Sequence, residues 1–137
     1  MPVRAFPVSG DGQLVQAYAA PAAAAYITEF PRPLVVRVDG PAVPKDHPRH
    51  VVFTCVTKGC VFAGAEQHED SDWVNRAKDA DDKEIGNAYD VRVHDGRAAV
   101  YVALQASGPR GAYVVRALPV ANRGERATPT WFRLRTR

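Results

Sequence analysis

What this chain of 137 residues lacks narrows it first. No apolar run approaches the ~20 residues of a membrane-spanning helix. Eleven prolines and ten glycines are spread along it, so no stretch supports a long helix. The opening residues, MPVRAFPVSGDGQL, carry no charged-then-apolar leader, which leaves an unexported chain or one whose leader has been removed. No Walker loop, G-x-G-x-x-G, G-x-S-x-G or H-E-x-x-H motif occurs. Cysteine is scarce. The two present, Cys55 and Cys60 in CVTKGC, form no second pair, and a lone CxxxxC is no zinc frame.

Those two thiols have two readings. Lys58-Gly59 allows a tight turn, so Cys55 and Cys60 can form a disulfide worth about 2 kcal/mol through loop entropy. Otherwise Cys55 is a buried core thiol and Cys60 a loop thiol. Compartment decides between them. Pairing either cysteine with His50 or His68 would set up nucleophile and base, but a thiol buried in a strand is inert.

What is present is a globular composition, 46% hydrophobic and 24% charged. From Leu34 onward the texture is β. LVVRVDG alternates and ends in Asp-Gly. RHVVFTCVTK sets Val51, Phe53 and Cys55 on one face and Val52, Thr54 and Val56 on the other, both apolar, as in a central strand. YDVRVHDGRAAVYVALQA holds two runs around Asp95-Gly96, a hairpin signal. AYVVRALPV and TWFRLRT follow, separated by an Asn-Arg-Gly turn. Short strands with turns at this spacing predict a sandwich or barrel. Residues 1 to 32 differ. They hold a Gly-Asp-Gly turn, a short strand at Leu14 to Tyr18, and an alanine-rich piece after Pro21 that is either one or two helical turns or extended. Residues 71 to 80 are open between a short helix capped by Ser71 or Asp72 and a strand centred on Trp73.

The stretch GAYVV at Gly111 to Val115 resembles the tyrosine corner of immunoglobulin-like and fibronectin-III-like domains, with Tyr113 two residues before a core position, Val115. Cys55 resembles the other core position, and Trp73 lies between them as the family's core tryptophan does. The likeness covers residues 33 to 137. It departs from the family in lacking a second core cysteine, in the longer Cys55-to-Trp73 spacing and in the charges around Trp73. It implies an all-β, immunoglobulin-like antiparallel sandwich over 33 to 137, with the Tyr113 hydroxyl bonded to nearby backbone; residues 1 to 32 precede it as an N-terminal arm or a short strand/helix segment.

Charge is segregated. Residues 66 to 91 hold nine acidic and three basic residues. Residues 92 to 137 hold nine arginines and two acidic residues. Arg133, Arg135 and Arg137 alternate, so they share one strand face and suit phosphate or sulfate. Glu69, Asp70 and Asp72 supply the acidic counterpart. With His68 they also offer ligands for a divalent cation, although a solvated acidic loop is the simpler reading. DADDKE lacks the ligand spacing of an EF-hand loop. Trp73 and Trp131 read as core or sheet-face residues.

These features predict no catalytic residues, cofactor or metal. They point to a non-enzymatic structural or interaction subunit packing with protein partners or copies of itself, in a virion or surface assembly, through the arm and the charged patches Arg133, Arg135, Arg137 and Glu69, Asp70, Asp72. The alternative is a sandwich module that binds carbohydrate or polyanion.

Overall fold

Among the described residues twelve strands follow one another: β1 Pro2–Ser9, β2 Leu14–Val15, β3 Tyr26–Glu29, β4 Leu34–Asp39, β5 His50–Cys55, β6 Cys60–Ala65, β7 Asn75–Lys78, β8 Glu84–Arg92, β9 Arg97–Gln105, β10 Ala112–Pro119, β11 Arg126–Thr128 and β12 Thr130–Thr136. The computed structural model describes residues 2–15, 26–44, 46–57, 60–65, 75–78, 84–105 and 111–136. Side chains at 15, 26–29, 60–65, 75–78, 84–87 and 103–105 are outside this description. Among the described residues all regular structure is β, and no helix is long and apolar enough to cross a membrane.

The strands form two sheets. The first runs β11-β1-β4-β9, with β6 on the far edge of β9. β3 shares an edge of β9 with β4: β4 takes Arg97 to Val100, and β3 takes Ala103 to Gln105. The second runs β2-β12-β10-β5-β8-β7. Period-two alternation turns one row from each sheet inward. Val3, Ala5, Leu34, Val36, Ala98, Val100 and Val102 come from the first, and Val51, Phe53, Cys55, Tyr113, Val115, Ala117, Phe132 and Leu134 from the second, all buried. Most of these meet in one core, so the fold is a β-sandwich. β5 is central, between β10 and β8, as its two apolar faces require.

Several expectations need correction. The N-terminal segment is no free arm. β1 pairs antiparallel with β4 and parallel with β11, because Val3 and Ala5 alternate into the core. β2 lies parallel to β12 on the opposite sheet. The helical alternative after Pro21 falls outside the described residues. Over residues 71 to 80 the described part, Asn75–Lys78, is strand. Asp95-Gly96 does form a two-residue turn, with φ of 50° and 76°, the positive pair a type I′ turn needs. It closes a single bridge, His94 to Arg97, and not a ladder. β8 then joins the second sheet and β9 the first. The pair singled out by the immunoglobulin likeness, Cys55 and Val115, are direct cross-strand partners in one sheet rather than facing residues of two.

Cys55 is disulfide-bonded. The chain's one other cysteine, Cys60, opens β6 in the opposite sheet. Tyr113 is 1% exposed, and burial pushes its phenol pKa up. No hydrogen bond from its hydroxyl to backbone is found among the described residues.

Candidate functional site

The alternation of TWFRLRT decides what the end of the chain displays. Phe132 and Leu134 point into the core, so Trp131, Arg133 and Arg135 point out. Trp131 is 49% exposed, so of the core and sheet-face readings it takes the sheet face; its own strand parity requires it to face solvent. Residues two apart on a strand are about 7 Å apart, so the three side chains make an evenly spaced outward row. Arg137 lies outside the described residues, as do Glu69, Asp70, Asp72, His68 and Trp73.

The neighbouring strand adds a fourth member. In the β10–β12 register, Arg116 stands opposite Trp131, Val114 opposite Arg133 and Ala112 opposite Arg135. Sequence reading passed over Arg116. Its signal was available: Tyr113, Val115 and Ala117 fill the core face of β10, which puts Arg116 on the outward face beside the tryptophan. The Arg116 Nε is buried and has no hydrogen-bond partner among the described residues. A buried donor left unbonded costs free energy until an acceptor reaches it.

The row is held rigidly along its edge. The Arg133 amide donates to Asp11 Oδ1 at 2.8 Å, and the Gly12 amide donates to the Arg133 carbonyl at 2.9 Å. The Arg135 amide donates to the Gln13 carbonyl at 2.9 Å. These contacts cover an edge that would otherwise template foreign strands. No carboxylate neutralises Arg116, Arg133 or Arg135 among the described residues.

Farther across the sheet the face changes character. His50 on β5 and Asp90 on β8 lie 2.9 Å apart, Nδ1 to Oδ1. The hydrogen bond to Asp90 raises the His50 pKa against the opposing effect of partial burial. At one end of the sandwich Arg49 holds Glu125 through two bonds, Nη1 to Oε1 at 2.9 Å and Nη2 to Oε2 at 2.7 Å, with Nη2 also on the Pro41 carbonyl at 2.6 Å. That pair takes the Glu125 pKa down to about 2, mainly through the bonds from Arg49 and then the bond from the Asn122 amide. It is nearly buried and fastens the 122–125 turn to the sandwich, so its role is structural. Among the described residues no group of three or more His, Cys, Asp or Glu is placed to hold a metal ion.

Among the described residues, the outward face of the second sheet therefore presents the Trp131 ring within a row of guanidinium groups that no carboxylate pairs. No protein-family model, curated protein or solved structure matches the chain.

Proposed function

We propose that this protein is a non-enzymatic binding module that takes an extended anionic polysaccharide across the outward face of its second sheet. One observation carries the reading: Trp131, Arg133 and Arg135 alternate outward on β12, with Arg116 opposite Trp131 in the β10–β12 register. Guanidinium groups make paired, charge-assisted bonds to sulfate and carboxylate. An exposed indole offers its flat face to the apolar side of a sugar ring. The buried Arg116 Nε supplies a donor that an incoming acid group would satisfy. A single ring among the described residues favours sugar over nucleic acid, because single-stranded nucleic acid is gripped by successive stacked bases.

The test is calorimetric titration with a short heparin fragment and, separately, with single-stranded DNA of matched charge. The proposal expects heparin to bind more tightly, and Arg133→Ala/Arg135→Ala to weaken it at least about tenfold. DNA binding as tightly as heparin would overturn the choice of ligand. Equal heparin affinity in the double variant would overturn the site.

The alternative is a subunit that packs with copies of itself in a virion or surface assembly. It draws on the charge segregation and on a donated N-terminal strand. β1 is engaged within its own sheet, so charge alone now supports that reading. A native mass that grows as salt is lowered would favour it.

A further inference from the structure

The opposite side of the molecule carries a second, independent feature. On the outward face of the first sheet lies an open groove of about 590 Å³, within the size range of small-molecule sites. Its floor is Val35 on β4 and Ala99 on β9, direct cross-strand partners. The short methyl of Ala99 leaves space that a longer side chain would fill. Val8 forms one wall, re-aimed by the register shift between Pro7 and Ser9.

Arg97 lines the groove where β9 leaves the Asp95-Gly96 turn. In the β4–β9 register it stands opposite Arg37, and like charges at this spacing repel. Only one of the two is compensated. Arg37 donates through Nε and Nη2 to the two carboxylate oxygens of Asp39, both at 3.1 Å, and its guanidinium lies 4.9 Å from the centre of the Phe6 ring. Arg97 has no side-chain partner among the described residues. Asp95, the one acidic residue of the lining, follows His94 on the same wall. Its carboxylate is 92% exposed and lies 3.5 Å from the His94 Nε2, so it faces solvent rather than Arg97. The result is a groove with an apolar floor, a polar end at Ser9, His94 and Asp95, and a cation, Arg97, that no carboxylate pairs among the described residues.

We propose that this groove binds a small amphipathic carboxylate, its head group on Arg97 and its aliphatic tail along Val35, Ala99 and Val8. The site is separate from the arginine face of the other sheet. Octanoate is the probe, followed by amide ¹H–¹⁵N shifts, with octanol and acetate as controls. Octanoate should give saturable shifts at Val35 and Ala99, with a dissociation constant on the order of 1 mM. Octanol lacks the head group and acetate the tail, so each should bind at least about tenfold more weakly. Arg97→Gln should weaken octanoate by a similar factor, and Ala99→Leu should remove the shifts by filling the floor. Arg97 is exposed, so Arg97→Gln tests the site even where the filled groove disturbs the sheet. No saturable shift at the groove, equal binding of octanol or acetate, or unchanged affinity in Arg97→Gln would each overturn the proposal.

Discussion

The Gln13 side chain bonds both backbone groups of Arg32: its Nε2 donates to the Arg32 carbonyl at 2.9 Å, and its Oε1 accepts from the Arg32 amide at 3.0 Å. Arg32 needs this partner because Pro31 and Pro33 flank it. Between Phe30, whose amide bonds the Val102 carbonyl, and Leu34, in register with Val100, the chain bulges off β9. Gln13 fills the bulge, is 4% exposed, and sends a third bond from Nε2 to the Gly10 carbonyl at 2.7 Å. Gln13→Leu keeps the bulk and removes all three bonds. It should cost about 2–3 kcal/mol and lower Tm by on the order of 10 °C in a thermal melt.

Gly10, in the same turn, is irreplaceable for two reasons. Its φ is +94°, and an added Cβ would sit 2.3 Å from the Pro33 carbonyl oxygen. Gly12 shares the positive φ, at +76°, but faces open space. Gly10→Ala should therefore cost about 3 kcal/mol or more, and Gly12→Ala about 1–2 kcal/mol. Denaturant midpoints of the two variants measure the difference directly.

Acid should release the Arg49–Glu125 clasp. The folded pKa of Glu125, about 2, lies below its unfolded value. Its contribution is thus complete above the ordinary glutamate range and is lost as pH falls toward 2. Denaturant melts between neutral pH and pH 2 should show wild type losing stability relative to Glu125→Gln. Parallel pH curves would contradict this.

His50 should respond with the opposite sign. Its pKa is raised by Asp90, so the pair stabilises the fold below the unfolded histidine pKa and is lost as pH rises through the folded value. Both side chains are more than a third exposed, so the contribution should stay under about 1 kcal/mol. An NMR titration of the His50 ring should show its midpoint falling in Asp90→Asn.

The strands themselves were legible because each carries its own alternation: β4, β5, β10 and β12 each turn one alternate row inward. Their partners were not legible. The chain changes sheet at nearly every connection, and a turn signature such as Asp95-Gly96 specifies a local reversal without specifying where the arms go next. Gln13 left no signal because its partner lies 19 residues away, and the need for it arises from two prolines. Arg49 and Glu125, 76 residues apart, were hidden for the same reason. On the candidate face, Arg133 and Arg135 followed from spacing alone. Trp131 and Arg116 required parity to be applied to the residues between the obvious core positions.

The central claim is that the outward face of the second sheet grips a polyanion through its arginines. The salt dependence of heparin-fragment binding tests it most directly, measured for wild type, Arg116→Gln and Arg133→Ala/Arg135→Ala. The slope of log affinity against log salt should become shallower by about one for each arginine removed. Slopes that coincide across all three proteins would contradict the claim.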